Sequence, residues 1–386
     1  MDVGLGTLLA HDGGTQSHTG AVAPPIYQTS TFVFDTMDEL LAAMAKNPAG
    51  PPYHYSRVGN PSVELAEKKI AALEGTEACR LFGSGMAAIS SAILSCVDAG
   101  SNVILVDTCY NPTRVLLRDY LAKFGVSLTM VAGTCTDEVL DAIRPETRLV
   151  FLESPSSLLF RLQDVAAIAT ACRERGISTA IDNTYSTPLH FQPAKLGIDL
   201  VCHSATKFLS GHSDVVAGAI CASRERIERI TRNEVSLLGA VLHPFSAWLL
   251  TRGMRTLQLR LRQHEAAGNA VAAWLEDRPE VARVHHVSLP SHPQHKLFRR
   301  MMKGSSGLFS FEPKVQDADR VKAFADRLRL FGRGVSWGGY ESLVIALPVH
   351  PIDYPEPRWI VRLFCGLEEP EDLLRDLEQA LAEIAP

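Results

Sequence analysis

No stretch of this 386-residue chain is apolar over the ~20 residues that a bilayer-crossing helix needs. The first fourteen residues carry no basic cluster and no long apolar run, so no secretory leader is expected. Runs of Lys and Arg are also missing. With 38 basic and 43 acidic residues the formal charge is −5 and the pI about 6.2. Neither nucleic acid nor an anionic membrane surface is therefore an expected partner. The eight cysteines (79, 96, 109, 135, 172, 202, 221 and 365) never form a CxxC pair. That scatter argues against a disulfide framework or a zinc site, and reduced core thiols in a cytoplasmic protein are the simplest expectation. Internal repeats and low-complexity tracts are absent as well.

What remains is the composition of a globular chain, 46% hydrophobic and 21% charged, with mean hydropathy +0.05. The length suits one large α/β unit with a smaller domain attached. Residues 1–52 hold Pro24, Pro25, Pro48, Pro51 and Pro52 and one helical stretch at 38–46. They read as an arm lying on the chain's own body or on a neighbouring subunit. A second segment, 53–252, alternates helix and strand. Asn60-Pro61 opens a helix that Gly75 ends, and strand-length apolar runs follow at 102–107, 148–153, 178–182, 199–203 and 215–221. This rhythm predicts a largely parallel sheet covered by helices. In the third segment, 253–386, a long helix (257–275) precedes strands at 307–312, 343–347 and 360–366 and a last helix at 370–384. That pattern predicts a smaller α+β domain.

Ligands of open α/β sheets collect at the carboxyl ends of strands, and three polar clusters fall there. Gly83-Ser84-Gly85-Met86 opens a helix over 86–96, where free N–H groups and the helix dipole can cradle an anion; a plain tight turn explains it equally. Asp182 follows a strand and either caps a turn or pairs with a ring nitrogen and keeps it protonated. Ser204-Ala205-Thr206-Lys207 offers two hydroxyls for a phosphate and a lysine that can form an imine once desolvated. The bland alternative is a surface lysine. A metal site from Cys202, His203 and His212 has poor ligand spacing, so no metal is expected.

The run SATKFLSGHSD around Lys207, about 25 residues after Asp182, resembles the cofactor site of the Cys/Met-metabolism enzymes. These depend on pyridoxal phosphate (PLP) and include cystathionine lyases and synthases and methionine γ-lyase. The resemblance extends over nearly the whole chain. It takes in Tyr55-Ser56-Arg57 with Gly59-Asn60-Pro61, the Gly83–Met86 turn, Asp107 with Tyr110, Glu153-Ser154-Pro155, and Arg362 with Gly366-Leu367-Glu368. It implies PLP fold type I (aspartate aminotransferase-like), a mostly parallel, mixed seven-stranded sheet with helices on both faces and a smaller C-terminal α+β domain. It implies that Lys207 holds the cofactor as an imine and then moves protons, while Asp182 pairs with the ring nitrogen. Gly85, Met86, Ser204 and Thr206 are implied to bind the phosphate, Tyr110 to stack on the ring, and Arg362 to grip the substrate α-carboxylate. Tyr55 and Arg57 are implied to reach the phosphate of a neighbouring subunit, making a homodimer the minimum unit and a homotetramer the expected assembly.

Within that family, Ser336-Trp337-Gly338-Gly339-Tyr340-Glu341-Ser342 looks like bacterial cystathionine β-lyase and marks Ser336 and Trp337 as substrate-binding. The alternative for Trp337 is ordinary packing. The γ-type enzymes usually have Asn where this chain has Ser157, and methionine γ-lyases have Cys where it has Pro112. These differences point to α,β-elimination of L-cystathionine, or of other cysteine conjugates, giving a thiol, pyruvate and ammonia. Two features cut the other way. Val335 stands where bacterial β-lyases carry tyrosine, and Tyr55-Ser56-Arg57 has the common family form. The alternatives are a γ-lyase or γ-synthase acting on cystathionine, methionine or an activated homoserine, and, from another class, a catalytically silent binding protein.

Overall fold

The strand Asn102–Val106 is buried at every position, as a central strand covered on both faces must be. It belongs to a seven-stranded sheet made of β1 (Ala78–Phe82), β2 (Asn102–Val106), β3 (Ser127–Val131), β4 (Thr147–Glu153), β5 (Ser178–Asp182), β6 (Leu200–His203) and β7 (Gly218–Ala222). The spatial order is β1-β7-β6-β5-β4-β2-β3. β7 alone runs against its neighbours, and the other pairings are parallel. The computed structural model describes residues 3–11, 20–46 and 50–385. Residues 1–2, 12–19 and 47–49 of the expected arm, Pro48 among them, lie outside the described residues, as does Pro386.

A second sheet follows, with β8 (Val281–His285), β9 (Leu308–Pro313), β10 (Gly332–Arg333), β11 (Leu343–Val349) and β12 (Arg358–Phe364) in the order β10-β11-β12-β9-β8. The helices Leu257–Glu276 and Pro370–Leu381 bury apolar faces in the same core. No helix among the described residues is long and apolar enough to cross a membrane.

Local chemistry sets the helix ends. Asn60 caps Pro61–Glu74 by accepting the Ser62 N–H, and Gly75 closes that helix in the left-handed region at φ 73°. Ser84 accepts the Ala87 N–H and starts Gly85–Leu94. The chain between β6 and β7 departs from expectation, because the strand begins at Gly218 and not near 215. Thr206 is the reason: its hydroxyl donates to the Ala217 carbonyl (3.2 Å) and accepts the Ala217 N–H (3.0 Å). Those groups are thereby removed from the ladder. Cysteine placement is mixed. Six thiols are buried, Cys96 is partly buried and Cys135 is exposed; all eight are free.

Candidate active site

The carboxyl ends of β4, β5 and β6 and the glycine turn after β1 converge on a cavity of about 400 Å³. The second sheet closes it with Arg362 of β12 and the 335–337 segment. Gly85, Met86, Tyr110, Asp182, Ser204, Thr206, Lys207, Ser336, Trp337 and Arg362 all line this one space.

Lys207 sits at its centre. Its Nζ donates to the Ser336 hydroxyl at 2.6 Å and lies 5.4 Å from the Trp337 ring centroid. Burial, reinforced by the nearby Arg362 charge, lowers the amine from its ordinary 10.5 to about 8. Gly338, at φ 87°, is pressed against the Lys207 backbone, and a Cβ there would lie 3.0 Å from the Lys207 Cα. The Ser336–Gly339 segment and the lysine loop are thus packed directly on each other. Trp337 also packs on Phe208, with centroids 5.4 Å apart, so packing and lining are both true of it.

Asp182 is buried at the end of β5. The Thr184 N–H donates to its Oδ1 at 2.9 Å, and the Thr184 hydroxyl donates to the same oxygen. Burial raises the Asp182 carboxyl above its ordinary range, against the pull of the Thr184 bonds and of His203 and Lys207. Beside it in register lies Glu153 of β4. Burial, with the Asp182 charge adding to it, pushes the Glu153 carboxyl up to about 8. Glu153 also accepts the Tyr110 N–H at 2.7 Å and so fixes the loop that carries Tyr110. No role was expected for Glu153 or Thr184. The available signal was a carboxylate at the end of a buried strand, adjacent to Asp182.

At the glycine turn, the first N–H groups of the helix, at Gly85 and Met86, have no carbonyl of their own helix to donate to. A Cβ on Gly85 would lie 2.8 Å from the Ser204 side chain, so only glycine leaves the space beside Ser204 open. These free donors, the buried Asp182 and the Lys207 amine of lowered pKa form a donor set suited to a phosphate, a ring nitrogen and an aldehyde. Arg362, pulled down to about 10 by burial, donates from Nη2 to the carbonyls of Val335 (3.0 Å) and Ser336 (3.2 Å).

Two expected residues lie elsewhere. Tyr55 and Arg57 do not line the cavity of their own chain. Arg57 stacks over the Tyr55 ring at 5.6 Å and donates to the Ser236 carbonyl. His203 and His212 face different partners, Glu74 at 2.6 Å and the Ser210 carbonyl at 2.7 Å.

Comparison with known proteins matches residues 6–382 to the Cys/Met metabolism PLP-dependent enzymes. The chain belongs to that family. Pyridoxal phosphate is accordingly its cofactor, and the residues around Lys207 fit it. An L-methionine γ-lyase from Porphyromonas gingivalis is 40% identical over 99% of this chain and 98% of its own. A Rhizobium johnstonii protein, provisionally named cystathionine β-lyase, is 35% identical over 99% of this chain and 97% of its own. Among solved structures, metB from Corynebacterium glutamicum superposes with a TM-score of 0.91 at 31% identity, covering 99% of both chains. This PLP enzyme therefore has fold type I, with the mixed seven-stranded sheet and the smaller C-terminal sheet described above.

Proposed function

We propose that this PLP enzyme is a carbon–sulfur lyase that cleaves L-cystathionine by α,β-elimination to homocysteine, pyruvate and ammonia. The observation that carries the reading is the pinned lysine: Ser336 and Trp337 hold the Lys207 amine at one place in the cavity. A β-elimination asks that amine to take a proton from Cα only, whereas a γ-elimination requires a second removal at Cβ. When bound, the cofactor supplies the electron sink that makes the Cα proton acidic. Lys207 anchors it and then moves the proton. Asp182 holds the ring nitrogen's proton, while the Gly85 and Met86 N–H groups and Ser204 hold the phosphate. Thr206 supports that cradle, although its hydroxyl also bridges Ala217. Tyr110 covers the ring, and Arg362 orients the substrate through its carboxylate.

A second reading, γ-elimination, is favoured by the resemblance to the Porphyromonas methionine γ-lyase. Product analysis separates the two, because β-cleavage of cystathionine gives pyruvate and γ-cleavage gives 2-oxobutyrate. Pyruvate is the expected keto acid, and mainly 2-oxobutyrate would refute the β-lyase assignment.

The amine also sets a pH dependence. With a pKa of about 8, roughly one lysine in ten is neutral at pH 7. Capture of PLP by cofactor-free protein should therefore speed up about tenfold per pH unit below 8 and level off above it. Stopped-flow absorbance checks this, and a rate still climbing at pH 9.5 contradicts it.

The active unit is proposed to be a homodimer within a homotetramer, with Tyr55 and Arg57 completing the neighbouring subunit's site. Their position outside their own cavity supports this. Mixing the inactive Arg57→Ala and Lys207→Ala chains should restore part of the activity through hybrid dimers. No recovery, with subunit exchange demonstrated, counts against shared sites. The proposed location is the cytoplasm, supported by eight free thiols.

A further inference from the structure

A second chamber of about 760 Å³ adjoins the Lys207 cavity, and Tyr110, Ser157, Val335 and Arg362 line both. One wall is apolar, built from Leu158, Leu159, Ile345, Leu347 and Val349. The segment after Tyr110 also lines the chamber and supplies two cations, Arg114 and Arg118.

The two cations are not equivalent. Arg118 is half in solvent and spends Nε and Nη2 on Asp119, each at 2.7 Å. Among the described residues, no carboxylate stands within ion-pair distance of Arg114. Its Nη2 donates to the Asn111 carboxamide oxygen at 2.6 Å, and its Nε is buried with no partner. Asp107, the one carboxylate in the chamber lining among the described residues, is directed elsewhere. It accepts the Ile352 N–H at 2.6 Å and lies 3.9 Å from Arg161. The Arg114 charge on the chamber wall is thus left without a carboxylate of the chain, and a ligand carboxylate in the chamber can supply one.

We infer that this chamber receives the substituent on the substrate's sulfur, and that Arg114 binds a carboxylate at the far end of that substituent. The inference rests on the carbon–sulfur lyase reading and narrows it to cysteine thioethers with an acidic tail. L-Cystathionine is one such compound. The bare methyl of methionine leaves both the apolar wall and Arg114 unused.

The test compares pyruvate formation by the holoenzyme from S-(2-carboxyethyl)-L-cysteine and from S-propyl-L-cysteine, which differ only at the tail end. The wild type should favour the acid by about 10- to 100-fold in kcat/KM, the range for a hydrogen bond to a charged group. Arg114→Gln should reduce that preference to within about threefold, mainly through the acid, and Arg114→Lys should keep part of it. Asn111→Asp, at an exposed position, places a carboxylate on Arg114 and should erase the preference independently. Turnover of the propyl compound reports folding in each variant. A wild type without preference, or a preference that survives both Arg114→Gln and Asn111→Asp, overturns the inference and leaves the lyase reading intact. Pyruvate from neither substrate overturns the lyase reading itself, and this inference with it.

Discussion

Lys207→Ala is expected to lower turnover by about 10⁴-fold or more and to abolish covalent retention of the cofactor. Positioned proton transfer alone is worth about 10²–10⁴-fold, and this residue is proposed to anchor the cofactor as well. The structure offers no ready substitute. Tyr110 is half exposed, and burial raises its hydroxyl above the ordinary range, with the Asp182 charge adding to the effect. Glu153 is committed to the Tyr110 N–H. Borohydride reduction followed by intact mass measurement should find the cofactor fixed to the wild type and not to the variant. A variant keeping activity within tenfold of wild type would remove Lys207 from the mechanism and revive the silent-protein reading.

The second large effect is expected at Arg362. Three backbone carbonyls, of Gly334, Val335 and Ser336, accept from Nη2 and hold the guanidinium in place on the cavity wall. Lysine keeps the charge but not the planar pair of donors that matches a carboxylate. Arg362→Lys should therefore cost about 10²–10³-fold in kcat/KM, carried mainly by KM. Arg362→Ala goes further, because the Arg362 charge helps depress the Lys207 amine. Without it the amine's pKa should move up from about 8, and the plateau of PLP capture should move to higher pH with it. Arg362→Lys should leave the plateau in place. A loss below threefold in Arg362→Lys would exclude carboxylate recognition by this residue.

Much of this architecture was legible because its signals are local. The runs at 102–107 and 148–153 are apolar between polar ends and 178–182 centres on Ala180-Ile181; each became a largely buried strand, the last two ending at the cavity. Asn60-Pro61 and Gly75 marked the bounds of one helix within a residue. β1 escaped because Arg80 interrupts it, an arginine buried in the sheet at 3.6 Å from Glu67. β3 escaped because it is an edge strand whose side chains are only partly buried, so its Ser and Thr leave no apolar run. The convergence of Lys207, Asp182 and Arg362 on one cavity required the family resemblance, since Arg362 lies 155 residues beyond Lys207. Glu153 and Arg114 stayed hidden for another reason. What distinguishes them is where packing puts them, Glu153 buried beside Asp182 and Arg114 on the wall of the second chamber, and no local pattern encodes that.

The aromatic packing behind the lysine limits how this enzyme can be re-engineered. Phe208 touches Trp337, Phe364 and His264 at centroid distances of 5.4–5.9 Å, and the Arg260 guanidinium donates to its carbonyl. Residue 337 is consequently not an independent dial for substrate choice. A graft of the 336–342 segment from a γ-type relative would also reset Phe208 and, through it, the seat of the lysine. Such a transplant has to carry its own residue 208 with it.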